Sequence, residues 1–241
     1  MVTRKIPLTN HIIEALPTRQ RDRILNLCTL VELDLGTALC AANQPYQYVY
    51  FPLTGFISSI AVSADVPSLE LGLIGNEGIV GVDIALGVNS ALFQSVVQGS
   101  GTALRIPVSD FQREITTNPS LVVLQNRYIY LSIQQLAQAA VCIHFHEIEA
   151  RLARWLLMTN DCAHSDTFQI THVFLAQMLG VRRSGVTLAA GELRKKSLIS
   201  YARGKVRILD RKGLEAISCP CYQTMLGNSS GLFLQGSSSA V

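Results

Sequence analysis

Two adjacent arginines followed by small hydroxyl residues form the stretch of this chain best suited to reading base pairs. Arg182 and Arg183 precede Ser184, and Thr187 follows about one helical turn later. Arginine can donate two hydrogen bonds to the O6 and N7 atoms of guanine, and a hydroxyl can bond to several base edges. We therefore expect these side chains to contact bases, provided that a helix carries them into the major groove of DNA.

The stretch from Ile170 to Leu193 must position these side chains, and its pattern predicts the two helices of a helix-turn-helix unit. Thr171 can cap the first helix, because its hydroxyl can accept a backbone N–H that the first turn leaves unpaired. Gly180 follows, where a tight turn needs the positive φ that costs glycine least. The second helix of such a unit enters the major groove, whereas an ordinary helical hairpin within a core is the alternative.

The residues after the second helix predict a β-hairpin, or wing, with its turn at Ala202–Gly204. Arg203 and Lys205 would lie at its tip, where they can contact the DNA backbone. Thr171 and His172, at the start of the first helix, are the other residues that we expect to contact the backbone.

Charge is unevenly distributed along the 241 residues, whose formal net charge is only +3. Residues 170–212 contain ten basic and two acidic residues, a net charge of +8, and the remainder carries −5. A basic segment on an acidic body is typical of nucleic-acid binding, because neutralisation of phosphates supplies much of the affinity. A solvated charged surface is the alternative.

A different pattern precedes this basic segment, and it indicates an α+β protein. Residues 10–28 predict a short helical segment interrupted by Pro17, and from Leu30 to Pro107 short β-rich runs alternate with glycines. Many short strands at close spacing favour a β-sandwich or barrel over alternating β/α units. Residues 108–117 predict another short helix.

A long helix is predicted from Pro119 to about His146, with apolar residues on two faces. Such a helix must be covered on two sides. One side can pack on the β-rich domain, and the other favours the same helix of a second subunit, although burial within one monomer is the alternative. The residues assigned to this dimer helix are Leu124, Tyr128, Ile129, Leu131, Ile133, Gln135 and Leu136.

Several classes of protein are not expected. No run of about 18 apolar residues predicts a membrane span, and no secretory signal is visible. Six cysteines in a chain of this length do not make a disulfide framework, so we expect a reducing, cytoplasmic setting. We find no nucleophile elbow, phosphate-binding loop or zinc-protease helix and expect no enzyme.

The order of these elements resembles the Crp/Fnr family of bacterial transcription regulators over roughly residues 10–222. The resemblance rests on ITHVFLAQMLGVRRSGV at 170–186, GKVRILDRKGLEAISCPCY at 204–222 and, more weakly, VYFPLTGFISS at 49–59. It implies an N-terminal β-roll of the jelly-roll type, a long dimerisation helix and a C-terminal winged helix-turn-helix. It also implies a homodimer on an inverted-repeat operator in double-stranded DNA, a small-molecule effector, and RNA polymerase as a further partner.

Four segments are expected on this basis. They are a β-roll sensor with its N-terminal helix (1–117), the dimerisation helix (118–147), the winged domain (148–222) and a disordered Gly/Ser-rich tail (223–241). A second hypothesis keeps the β-roll as a ligand- or protein-binding module and makes the winged domain a docking surface.

Within this resemblance, the second helix of the helix-turn-helix differs from that of the family's cyclic-AMP receptor at two positions. Arg183 falls at the position of that receptor's guanine-reading arginine, but Ser184 replaces a glutamate and Leu188 replaces a second arginine. A glutamate that accepts from cytosine N4 is therefore missing, and the operator should differ.

The effector pocket is expected around Gly81, Val82, Asp83 and Phe93, which lie in the stretch matching the family's cyclic-nucleotide cassette. Gly81 fits that cassette, but Val82 stands where a glutamate would hold the ribose. No Lys or Arg occurs between Arg23 and Arg105. Because a buried phosphate without a cationic partner is costly, we do not expect cyclic AMP to be the effector.

Metal ions and cofactors are not expected. Cys219 and Cys221 form a C-x-C pair, which alone is a weak metal signal, and the other cysteines lie far apart in the sequence. His144 and His146 are two residues apart, so on a helix they point in different directions. Cys142 and Cys162 are interpreted as isolated thiols.

Overall fold

The computed structural model describes residues 9–63, 65 and 68–234 of the chain. Two short helices come first, α1 (His11–Glu14) and α2 (Thr18–Leu27), with the predicted break at Pro17. The Asn10 side chain caps α1 and donates to the backbone oxygens of Pro52 and Gly78, at 3.2 and 2.8 Å. These bonds fix the N-terminal helices to the domain that follows.

Among the described residues up to Pro107, seven strands then form two antiparallel sheets. They are β1 (Thr29–Leu33), β2 (Ala38–Cys40), β3 (Tyr48–Pro52), β4 (Phe56–Ala61), β5 (Leu69–Ile74), β6 (Gln94–Gly99) and β7 (Gly101–Pro107). One sheet has the order β1-β7-β3 and the other the order β2-β6-β4-β5. Leu33 and Ala103 of the first sheet pack with Ile57 and Val97 of the second. The predicted β-roll is confirmed.

Two helices leave this domain, α3 (Val108–Thr117) and α4 (Pro119–Phe145), both as predicted. Asn118 caps α4 by accepting the N–H of Leu121 at 3.0 Å, and Pro119 is suited to the first turn because it has no N–H to satisfy. Leu121, Tyr128 and Leu131 bury one face of α4 against the β-roll. Among the described residues, no helix is both long and apolar enough to cross a bilayer.

The remaining elements form the winged domain. They are α5 (Ile148–Ala163), β8 (Thr167–Gln169), α6 (His172–Leu179), α7 (Arg183–Lys195), β9 (Ile199–Ala202), β10 (Lys205–Ile208), α8 (Arg211–Ile217) and α9 (Cys221–Leu234). Trp155, Val186 and Leu193 are buried at its core. The predicted hairpin β9–β10 gains a third strand that the sequence did not predict, because Phe168 of β8 pairs with Val206 of β10.

The expected disordered tail at 223–241 is wrong for residues 223–234, which continue α9. The physical reason lies at the start of that helix. Tyr222 is buried, and its hydroxyl donates to Asp161 at 2.8 Å and accepts from Arg211 at 2.6 Å. The helix is thereby anchored before its Gly/Ser-rich part begins. Residues 235–241 lie outside the described residues.

A buried polar contact joins the β-roll to the winged domain. The Glu70 carboxylate on β5 accepts from the Trp155 indole N–H on α5 at 2.7 Å and from the Ser58 hydroxyl at 2.6 Å. Burial raises the pKa of Glu70 to about 7, although both hydrogen bonds act in the opposite direction. The junction between the two domains therefore contains a group that titrates near neutral pH.

Candidate nucleic-acid interface

Helices α6 and α7 have the backbone geometry that the sequence predicted for a helix-turn-helix. The Thr171 hydroxyl accepts the N–H of Phe174 at 3.1 Å and so caps α6. Gly180 ends α6 in the left-handed region at φ 61°, and Val181 bonds back to the Ala176 carbonyl at 2.9 Å. The chain then turns sharply into α7.

Helix α7 has one buried and one exposed face. Val186, Ala189, Ala190 and Leu193 pack into the domain core. The opposite face carries Leu188, which is 72% exposed. It also carries all four side chains predicted to contact bases, which are Arg182, Arg183, Ser184 and Thr187. The N-terminal end of α7, with its cap residue, thus presents two guanidinium groups and two hydroxyls to solvent.

His172 connects the exposed face of α7, called the recognition face below, to the rest of the domain. Its Nδ1 lies 3.0 Å from the Thr187 hydroxyl, which itself donates to the Arg183 carbonyl, so Nδ1 is assigned the proton that donates to Thr187. Its ring stacks on Tyr201 of β9 at 4.4 Å, and the Tyr201 hydroxyl donates to the Ile170 carbonyl at 3.1 Å. Partial burial, and then the charge of Arg183, lower the pKa of His172. Sequence reasoning missed Tyr201, because only the tertiary pairing brings β9 beside α6.

The wing ends in a tight two-residue turn. Ala202 of β9 pairs with Lys205 of β10, and between them Arg203 and Gly204 have φ values of +50° and +74°. Positive φ at both positions is typical of the turns that suit the twist of a hairpin. The exposed side chains of Arg203 and Lys205 lie at the tip, where the sequence placed them.

Comparisons with known proteins identify this arrangement. Residues 150–217 match the family described as the Crp-like helix-turn-helix domain. The Global nitrogen regulator of Nostoc sp. (strain PCC 7120) is 25% identical over 175 residues, which cover 69% of this chain and 78% of that protein. The transcriptional regulator SdrP of Thermus thermophilus is 27% identical over 183 residues, covering 72% and 85%. Residues 150–217 therefore form a Crp-like helix-turn-helix domain, and over most of its length the chain is similar to these two regulators.

These matches indicate a DNA-binding transcriptional regulator of Crp/Fnr type. Its fold matches the structure of FixK2 from Bradyrhizobium japonicum with a TM-score of 0.67, at 12% identity, over 80% of this chain and 98% of that one. The likeness includes the β-roll, so the expected α+β architecture is confirmed for the residues that the structure describes.

The β-roll of this regulator encloses a cavity of about 230 Å³ against α4. All four residues predicted for an effector pocket line it; they are Gly81, Val82, Asp83 and Phe93. Asp83 accepts a hydrogen bond from the Tyr46 hydroxyl at 2.7 Å. Of the described residues that line the cavity, none is Lys, Arg or His.

The residues assigned to the dimer helix divide into two groups. Leu124, Tyr128 and Leu131 are buried against the β-roll of their own chain, so their assignment to a dimer contact is corrected. Ile129, Gln135 and Leu136 line the cavity, as does Ile133, which is also 58% exposed. Sequence reasoning missed four further exposed apolar positions of α4, which follow a period of about 3.5 residues; they are Val123, Tyr130, Ala137 and Val141.

Proposed function

We propose that this regulator binds an inverted-repeat operator as a homodimer, with α7 of each protomer in successive major grooves. The observation that carries the proposal is the exposed face of α7, where Arg182, Arg183, Ser184 and Thr187 lie together without any role in packing. Arg183 reads guanine, Arg182 contacts a base or a phosphate, and the exposed Leu188 is suited to a thymine methyl group. Arg203 and Lys205 of the wing, with Thr171 and His172 at the start of α6, contact the backbone.

The partner in the dimer is a second copy of this chain, paired along α4. Val123, Tyr130 and Ile133 are each about half exposed and follow the spacing of a coiled-coil seam, continued by Ala137 and Val141. An apolar stripe of this length is costly in water, and a parallel copy of the same helix covers it. Pairing there would set two α7 helices about 34 Å apart, one turn of DNA.

The effector of this proposal is a small molecule bound in the β-roll cavity, and it is not cyclic AMP. The cavity offers the carboxylate of Asp83 and no cationic side chain among its described lining residues, so a buried phosphate would have no charged partner. Ile129 and Ile133 belong to both the cavity wall and α4. An occupant would therefore contact the helix that pairs the two protomers and could change the spacing of the DNA-binding heads.

In-vitro selection of DNA by the purified full-length protein tests the first part of this proposal. We expect enrichment of an inverted repeat and a loss of affinity of about 1–3 kcal/mol on Arg183→Ala, confined to the base pair that it reads. Arg19→Ala, an exposed arginine on α2, is the matched control. Equal affinity for selected and scrambled DNA would refute it. Weak, salt-insensitive binding together with a captured protein partner would favour the docking hypothesis.

The effector is sought by repeating the selection with and without a fraction of small metabolites. A ligand that changes the DNA affinity of the wild-type protein, but not that of a variant with the cavity filled by Gly72→Leu, would support the cavity as its site. Gly72 is chosen because it lines the cavity, and an added Cβ would meet only the Gln135 side chain oxygen, at 3.3 Å. An unchanged response in that variant would contradict it.

A further inference from the structure

Four potential metal ligands meet where α4 ends and α9 begins. Cys142 lies in the last turn of α4 and His146 follows that helix, whereas Cys219 lies between α8 and α9 and Cys221 is the first residue of α9. Their ligand atoms all lie within 4.8 Å of one another. The Sγ atoms of Cys142 and Cys219 are 3.5 Å apart, and the Sγ of Cys221 is 3.4 Å from the Nδ1 of His146. Cys142 is therefore not the isolated thiol that the sequence predicted.

The separations of 3.5 and 3.4 Å are close to those around a tetrahedral ion. With Zn–S bonds of about 2.3 Å and Zn–N bonds of about 2.0–2.1 Å, neighbouring ligand atoms stand roughly 3.5–3.8 Å apart. We propose that Cys142, His146, Cys219 and Cys221 bind one zinc ion in a closed structural site. Four protein ligands leave no open position for substrate, and three sulfurs with one imidazole are a set that zinc prefers. The spacing is too close to surround the several metal atoms of an iron–sulfur cluster.

The surroundings of the cluster suit a metal thiolate. All three thiols are buried. The Gln138 side chain donates an N–H to the Sγ of Cys221 at 2.8 Å, the kind of outer contact that orients a ligand. The positive charge of Arg154 acts on Cys142 and Cys219. Zinc with three thiolates carries one net negative charge, which Arg154 is placed to offset.

Zinc binding at this site involves no oxidation or reduction. The ion takes the place of three thiol protons, which leave to solvent, so the apparent affinity falls as the pH is lowered. The ligands come from two parts of the chain, since Cys142 and His146 belong to the end of α4 and the cysteine pair belongs to the winged domain. The ion would fix the angle between the proposed dimerisation helix and the DNA-binding head.

Elemental analysis of the purified full-length protein, prepared under reducing conditions with zinc offered, tests the proposal. We expect about one zinc per protomer, and on replacement by cobalt a thiolate-to-metal charge-transfer band with the intense d–d absorption of a tetrahedral ion. Cys219→Ser and His146→Ala should each lose the metal. Gln138→Ala should keep it with an affinity about 10–100-fold weaker. Cys28→Ser is the control, because that half-buried thiol lies outside the cluster.

Three outcomes would overturn the assignment. The first is that the fully reduced wild-type protein binds no stoichiometric zinc. The second is that the reduced, zinc-supplied sample contains a Cys142–Cys219 disulfide instead of a metal. The third is that the protein contains iron and inorganic sulfide in place of zinc. Should the ligand variants fail to fold, the zinc content and the cobalt spectrum of the wild-type protein still decide. DNA selection does not enter this test, so failure of the zinc site would leave the proposed operator binding standing.

Discussion

Arg203 lies at the tip of the wing in a left-handed backbone conformation that costs an ordinary side chain about 1 kcal/mol. Asparagine tolerates this conformation far better than alanine does. We expect Arg203→Asn to be more stable to urea than Arg203→Ala by a few tenths to about 1 kcal/mol. Both variants should weaken DNA binding equally. The slope of log affinity against log salt concentration should fall in magnitude by about one, because one phosphate contact is lost. Unequal losses of DNA affinity would contradict a purely electrostatic role.

His172 offers a second prediction at the residue scale, because it holds Thr187 on the recognition face. His172→Phe can keep the stacking on Tyr201 but loses the hydrogen bond to Thr187, so we expect roughly 5-fold weaker binding to the selected operator, equivalent to about 1 kcal/mol. Thr187→Val and the double variant complete a double-mutant cycle, in which fluorescence anisotropy measures the affinity of each variant for the operator. Strictly additive losses would mean that the two side chains contact DNA independently.

At the scale of elements, the apolar stripe of α4 predicts how the protein assembles. Ile133→Asp places a charge in the middle of the proposed seam, so we expect the dimer to dissociate in sedimentation velocity at micromolar protein, with operator affinity falling in parallel. Leu35→Asp, at a residue that is 53% exposed between β1 and β2, is the matched control and should remain dimeric. A wild-type monomer, or an Ile133→Asp dimer, would refute pairing along α4.

The elements with strong periodicity were predictable from the sequence, and the contacts between distant elements were not. Gly180, the cap at Thr171 and the turn at Arg203–Gly204 are local features, and the structure has each where the sequence placed it. Strand β8 was missed because three residues carry no readable period and depend on pairing with β10. The residues of the recognition face on α7 could be predicted from helical spacing alone.

The cysteine cluster was missed for two separable reasons. Cys142 and His146 are four residues apart, a spacing that would put both on one face of a continuous helix, but α4 ends at Phe145 and His146 is extended, so their approach depends on how the helix ends. The approach of Cys142 to Cys219 spans 77 residues of sequence, and no local pattern predicts such a contact. Only the docking of the segment after α8 onto the end of α4 brings the four ligands together.

At the scale of the whole molecule, the β-roll and the winged domain meet at Glu70 and Trp155. Glu70 has its pKa raised from 4.5 to about 7, so the folded protein favours the protonated acid. The resulting stabilisation is fully present below about pH 4.5 and is lost as the pH rises through 7. The wild-type free energy of unfolding should therefore fall by on the order of 3 kcal/mol over that interval, relative to a chain without this group.

Glu70→Gln isolates this contribution, because an amide can still accept the Trp155 N–H but cannot ionise. In urea unfolding between about pH 5 and 8, we expect the variant to lose the downward slope that the wild type shows. Trp155 is the only tryptophan of the chain, so its emission should shift with an apparent pKa near 7 in the wild type and stay constant in the variant. Glu32→Gln, an exposed glutamate on β1, controls for the loss of a surface charge. A slope that persists in Glu70→Gln would assign the pH dependence to another group.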